Sequence, residues 1–551
     1  MEIDERTRAY IIPERILWKT ENQDADVENE TTLLEKKSVQ ISLQAVSPCI
    51  LRNRSGRAGI LLDFGTELHG GVQLLTWNCG KAKTARLRVR FGESAMEAMS
   101  EPGEKNSTND HAIRDTTVEA SFLGLTEIGN TGFRFVRIDL LENNSFLELK
   151  SVRAVFVYRD IPYLGSFRCS DPLLNKIWET GARTVHLNMQ GYLWDGIKRD
   201  RLVWIGDMYP EVSVLRSVFG FDKTVPKSLD FIRDETPLPQ WMNGLPSYSM
   251  WWILIQHSWY RQNGDLPYLN EQKAYLLPLL KQLEGFVKPG GLEPPQNLFA
   301  DWSSVGNTPA QTGIFQSLLL LALRASAELC ITLNEREAAS DALSAARKLE
   351  KNPVSHGGSK QAAAMLAVAG LADPLQTNRD ILSPGGAKGL SAFLGYFVLQ
   401  AKAMAGDIPG CLSLIREYWG GMLQLGATSF WEEFDIDWMQ NAGRIDEIIA
   451  EDKNDVHGDT GEHCYKGYRK SLCHGWAAGP TAWLSEHVLG ICILRPGCRK
   501  VNISPALGDL QWVEGTYPTP HGLIRVRHEK KSDGTVCSQI EAPEAVTIIR
   551  K

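Results

Sequence analysis

None of the ten cysteines stands in a Cys-x-x-Cys arrangement, so a zinc knuckle and a thioredoxin-type pair are both excluded. Free thiols in a reducing compartment, most of them small core residues, are expected instead. An apolar leader is also lacking. The first twenty residues hold Glu2, Asp4, Glu5, Arg6, Arg8, Glu14, Arg15 and Lys19, where a signal peptide needs an apolar centre, and a cytoplasmic protein is expected. Apolar runs such as LLLLAL at 318–323 fall short of the roughly 20 residues that span a bilayer. Nor is there an excess of positive charge: 59 Lys and Arg stand against 66 Asp and Glu, a formal charge of −7. That balance argues against nucleic acid or an anionic membrane as partner and suits a small neutral substrate; a homodimer stays open.

Nucleotide and metal signatures are missing as well. No G-x-G-x-x-G follows a strand, and GGSK at 357–360 lacks the spacing of a phosphate loop. DFG at 63–65 has no kinase motifs around it and reads as a turn between strands. HGDTGEH at 457–463, with His474 downstream, offers histidines and acids, but its spacing fits no zinc helix; a loop at the rim of a site is expected, with no metal and no cofactor.

A chain of 551 residues exceeds what one core supports, so several domains are expected. From about 38 to 160, short runs such as RLRVRF and VRAVFVY alternate apolar and polar residues between Gly, Asn and Asp clusters, the pattern of antiparallel strands in a β-sandwich. From about 170 to 490, apolar residues recur three and four apart over ten segments, and further helices are expected near 223–233 and 436–450. A number near twelve suits paired helices closed into an (α/α)6 toroid, and the absence of a fixed repeat speaks against a solenoid. After Pro496 strand-like runs return. The division is 1–165, an N-terminal β-sandwich; 166–493, an (α/α)6 barrel; and 494–551, a C-terminal β-domain, also taken as a sandwich.

Three stretches could carry chemistry. DGIKRDRLVWIGD at 195–207 gathers Asp195, Asp200 and Asp207 with Lys198, Arg199 and Arg201 between two helices. Carboxylates crowded beside arginines can be split in pKa, one protonated to donate and another ionised to accept, as hydrolysis of a glycosidic bond requires. Taken alone, the cluster is equally a solvated ion-pair loop. ATSFWEEFD at 427–435 sets Glu432 beside Trp431, an arrangement suited to a sugar, whose apolar face packs on a ring, though Glu432 and Glu433 could also cap a helix. SLCHGWAAGP at 471–480 places His474 and Trp476 before small residues that permit close helix packing. Tryptophans gather again in QWMNGLPSYSMWW and FADWSSVG, the latter with Asp301.

Together these stretches resemble the α-L-rhamnosidases of glycoside hydrolase family 78. ILLDFGTELHGGV, RVRFGES, DGIKRDRLVWIGD, PSYSMWW, FADW, ATSFWEEFD, SLCHGWAAGP and VNISPALGDLQWVEGTYPTPHGLIRV occur in the family's order over nearly the whole chain. The resemblance implies β-domains around an (α/α)6 catalytic domain and an inverting hydrolase that removes terminal α-L-rhamnose. It implies Asp200 as general acid and Glu432 as general base. Asp195, Arg199 and Asp207 would bind hydroxyls, His474 would lie in the pocket, and Trp204, Trp302 and Trp431 would hold the 6-methyl group. The chain departs from the family in having Asp200 where glutamate is usual, a side chain shorter by about 1.5 Å. A carbohydrate-binding protein that has lost turnover and a polysaccharide lyase on a helical toroid are the competing readings.

Overall fold

A computed structural model of the chain describes residues 3–43, 47–352, 354–463 and 465–550. Between Thr7 and Tyr158, nine antiparallel strands form one continuous sheet around a core that includes Leu51, Ile60, Leu62, Phe64, Leu87, Val89, Phe133 and Val136. The long strand Gly59–Asn78 organises it. Its first residues pair with Arg15–Lys19, its later ones with Ser145–Tyr158, and Leu125–Leu140 follows it along the other edge. The change of partner accompanies irregularities between Asp63 and Leu68 and between Gly70 and Val72. The DFG triplet therefore lies inside a strand at a bulge, not in a turn between strands. There Gly65 supplies the left-handed φ of 79°, while buried Asp63 receives the guanidiniums of Arg15 and Arg134.

Helices fill the chain from Pro172 to Val488. Several open on a polar cap followed by proline, which needs no N–H in the first turn. Asp171 accepts from the Leu173 N–H at 2.8 Å ahead of Pro172–Asn188, and Asn307 accepts from the Ala310 N–H at 3.2 Å ahead of Thr308–Thr332. The helix Thr308–Thr332 contains the LLLLAL run and, at 25 residues, is long and apolar enough to cross a membrane, which corrects the expectation that no stretch is. In the fold, 78% of its apolar window is buried. Phe315, Leu318, Leu319 and Leu323 all pack in the core, each worth about 1.5–3 kcal/mol of burial. Over 436–450 no long helix forms: Ile436–Met439 makes one 3-10 turn, followed by the short strand Ala442–Gly443. Conversely, Pro374–Thr377 and the π-turn Asn378–Leu382 have no counterpart in the periodicity.

The C-terminal strands form two sheets. Ile491–Arg495, Lys500–Ile503 and Thr547–Arg550 make one; Trp512–Thr519, Gly522–Lys530 and Val536–Glu541 make the other, joined by Ser166–Cys169 from before the first long helix. Val501, Val513, Ile524 and Val526 share the core of the helices. Nine described cysteines are unpaired, and all but Cys492 and Cys537 are buried, as expected of small core residues; Cys464 lies outside the described residues.

Candidate active site

Three segments without regular helix or strand meet and are stitched by backbone hydrogen bonds. The Gly475 N–H donates to the Asp195 carbonyl at 2.9 Å, the His474 N–H to that of Phe430 at 2.9 Å, and the Glu432 N–H to that of Ser471 at 3.0 Å. The first segment, 195–207, cannot be helical because Asp200 and Arg201 both have left-handed φ, 56° and 55°. The mesh surrounds a cavity of about 190 Å³ whose walls include Asp195, Asp200, Trp204, Asp207, Tyr248, Trp302, Glu432, His474 and Trp476.

Arg199 ties the two proposed catalytic carboxylates together. Its Nη1 donates to Asp200 Oδ1 at 2.6 Å, and its Nη2 to both oxygens of Glu432 at 2.8 and 2.9 Å. Tyr465 lies against the guanidinium, with its ring centre 4.7 Å away. Glu432 Oε2 also accepts the Ser471 N–H at 2.9 Å. Burial pushes the Glu432 carboxyl up, but Arg199, then His474 and the Ser471 amide, outweigh it and hold the acid below its usual range. Asp200 Oδ2 accepts the Trp204 Nε1–H at 3.0 Å, and its Oδ1 is 3.5 Å from His111 Nδ1.

On the other wall, His474 Nε2 bonds Asp207 Oδ2 at 3.0 Å, and Asp207 Oδ1 accepts from the Tyr248 hydroxyl at 3.1 Å. Burial alone would lower the His474 pKa, yet Glu432 and Asp207 bring it up to about 9. Burial raises Asp207 against the pull of His474, and it drives Asp195 well above the carboxylate range. The cavity thus combines an ionised acid at Glu432, a charged imidazole and a buried acid that favours its proton. That combination can move protons between a substrate and water.

Eight of the nine residues named from sequence converge here. Arg199, expected to bind hydroxyls, stands behind the wall and bridges the acids. Trp431 does not reach the cavity: it is fully buried and packs edge-on against Phe434, its ring centre 5.7 Å away. The two neighbours thus part, Glu432 lining the cavity and Trp431 entering the core. Trp476, noted in the third stretch but given no role, lines the cavity, and so do Tyr248, Phe299 and Tyr465, which were not singled out. Tyr248 lies within PSYSMWW, where a helical apolar pattern disguises it as core. Asp301 belongs to an adjoining cavity that shares Trp302, Glu432 and Tyr465 and also includes Glu433. The Glu433 carboxyl is pushed by burial to about 7.

Among the described residues, Glu93, Glu97 and His457 bring possible metal ligands within 4.8 Å of one another. The Lys198 ammonium already lies 3.0 and 3.2 Å from the two carboxylates, so they carry their counter-charge. His457, at the head of the expected rim loop, is buried in this cluster, whereas His463 at its end stacks on Trp302.

Part of the helical body matches a six-hairpin glycosidase domain. Residues 162–348 match the family model described as the bacterial alpha-L-rhamnosidase 6 hairpin glycosidase domain, and residues 490–549 that of the bacterial alpha-L-rhamnosidase C-terminal domain. Both matches are to domains of bacterial α-L-rhamnosidases, the group that its motifs resemble. The fold resembles the glycoside hydrolase family 78 rhamnosidase of Bacillus sp. GL1, with a TM-score of 0.75 at 23% identity over 94% of this chain and 55% of that one. It also resembles the α-L-rhamnosidase of Streptomyces avermitilis complexed with L-rhamnose, with a TM-score of 0.70 at 17% identity over 91% and 50% of the two chains. Among curated proteins, an alpha-L-rhamnosidase of Formosa agariphila is 33% identical over 78 residues, 14% of this chain and 8% of the relative. The chain thus spans about half the length of the Bacillus and Streptomyces structures and a small part of the Formosa protein.

Proposed function

We propose that the protein is an inverting glycoside hydrolase that removes terminal non-reducing α-L-rhamnose from small rhamnosides, on helices paired into an (α/α)6 toroid. The observation that carries this reading is the Arg199 bridge. Asp200 and Glu432 take opposite nitrogens of one guanidinium instead of touching each other, beside a cavity walled by aromatic rings and further acids. Inversion needs two separated carboxyls with a water between sugar and base. Glu432, held ionised, is suited to take a proton from that water. Asp200, on the cavity wall opposite the Glu432 end of the Arg199 bridge, is placed to protonate the leaving oxygen. Asp195, Asp207 and His474 present acceptors and a charged donor to the sugar hydroxyls, and Trp204 and Trp302 offer apolar faces for the 6-methyl group.

The test is proton NMR of the first sugar released from an aryl α-L-rhamnoside. The β-anomer is expected, and the α-anomer would overturn inversion. One observation favours a second reading, a sugar-binding protein without turnover: Arg199 and Trp204 donate to Asp200 Oδ1 and Oδ2, so both oxygens of the proposed acid are already engaged. Rhamnose binding with no release from any aryl rhamnoside between about pH 4 and 8 would establish it.

A further inference from the structure

The RVRFGES motif at 88–94 lies in the N-terminal β-domain, and the chemistry above gives it no task. Its Glu93 is fully buried, as is Glu97 one turn later in the short helix Ala95–Met99. Both face the active-site segments. Lys198, the residue before Arg199, buries its ammonium among four oxygens: Glu93 Oε2 at 3.0 Å, Glu97 Oε1 at 3.2 Å, and the carbonyls of Tyr468 at 2.8 Å and Lys470 at 2.7 Å. Glu93 also accepts the Leu472 N–H at 2.6 Å and the Ser471 hydroxyl at 3.2 Å. Ser471 is the residue whose N–H holds Glu432.

Further contacts from the same domain press on these loops. Ser94 Oγ lies 2.8 Å from His457 Nδ1, and His457 Nε2 lies 3.0 Å from the Lys470 carbonyl. Gly132 meets the segment so closely that a Cβ there would lie 2.8 Å from the backbone nitrogen of Lys198. Arg201 donates to the carbonyls of Asn130 and His111.

Burying two carboxylates and an ammonium is a poor route to stability, since desolvation offsets most of their attraction; its attested use is to fix one geometry. We infer that Glu93 and Glu97 are positioning residues: through Lys198 and the 468–472 segment they set Arg199 and the Ser471 amide against Glu432, making the β-domain part of the active-site framework. This inference rests on the hydrolytic reading of Glu432. The groups facing Glu432 are the Arg199 guanidinium, the His474 imidazole 3.7 Å away and the Ser471 amide, with the charges of Asp207, Glu433 and Lys470 around them.

The experiment compares full-length Glu93→Gln and Gly132→Ala with the unaltered chain and with Glu432→Gln. Glu93→Gln keeps the shape and removes the charge; Gly132→Ala keeps every charge and pushes the loop. In both, kcat on an aryl α-L-rhamnoside is expected to fall at least tenfold with inhibition by free rhamnose unchanged. The acid limb of kcat/KM should move to higher pH as the donors that keep Glu432 ionised loosen. Amide hydrogen exchange over 468–474 should quicken in both variants, a readout that needs no turnover. Unaltered exchange and an unmoved acid limb, or a loss that merely follows the folded fraction, would overturn the positioning role while leaving hydrolysis intact. Full turnover in Glu432→Gln would remove the hydrolytic reading and this inference with it.

Discussion

Left-handed backbone at Asp200 explains why a short acid suits the position. Asp and Asn reach φ near 56° more easily than other side chains because they bond locally, whereas a typical residue pays about 1–2 kcal/mol. Asp200→Asn should therefore keep the loop's shape, so that its effect reports on the carboxyl alone. A fall in kcat of at least about a hundredfold, the worth of a general acid, is expected with a Tm near that of the unaltered protein; undiminished kcat would remove Asp200 from the chemistry. Asp200→Glu restores the family's usual donor in a backbone that disfavours it. A lower Tm, with a smaller loss of kcat than in the Asn variant, is the expected pattern. His474 gives a separate prediction about stability. Its pKa near 9 lies above the ordinary value of about 6.5, so the stability it adds is complete below that pH and drains away as pH rises through 9. Thermal unfolding should fall steeply over this window and flatten in His474→Gln; an identical slope in the variant would show that His474 is not the group responsible.

At the scale of elements, what the sequence made legible was the side-chain period. Segments such as 172–189, 247–263 and 408–424 form helices within a few residues of their expected limits, because a buried stripe three and four residues apart leaves little alternative. Where the backbone departs from regular structure, period carries no information. The stretch 436–450 has apolar residues at helical spacing, yet Asn441 adopts a left-handed φ of 53° and the chain turns there; DFG hides a bulge for the same reason. The site was readable as a set of acids but not as a geometry. That Arg199 bridges the two acids and Trp431 turns away from the cavity could not be read, because sequence shows which residues are near one another along the chain, not which way each points. Small residues in SLCHGWAAGP did signal close packing. Gly479 has ordinary helical φ of −45°, and a Cβ there would meet Tyr396 Cβ at 2.7 Å. Gly→Ala in a helix normally gains about 0.5–1 kcal/mol, but overpacking costs about 1–3 kcal/mol. Gly479→Ala should thus destabilise the protein in denaturant titrations, and a stabilised variant would show that the contact relaxes freely.

For the whole molecule, the helices and the C-terminal strands share one core, while the N-terminal sheet has its own. Ser166–Cys169 belongs by sequence to the segment before the first long helix, but by pairing to the sheet of Trp512–Thr519, so the C-terminal domain is tied to both ends of the helical body. Three buried thiols report on these parts: Cys49 in the N-terminal core, Cys330 among the helices and Cys498 at the C-terminal junction. Cys498 Sγ lies 3.3 Å from the Gln262 carbonyl at the end of Pro246–Asn263, inside the shared core. Because a common core is lost as a unit, Cys330 and Cys498 should become reactive toward a thiol reagent at the same denaturant concentration, whatever the midpoint for Cys49. Labelling of Cys498 well before Cys330 would mean that the C-terminal strands detach on their own. A chain ending after Leu489 could then fold, whereas a shared core predicts that such a truncation strips Ser166–Cys169 of its partner strand and Gln262 of Tyr517 and Pro518, and yields no soluble helical domain.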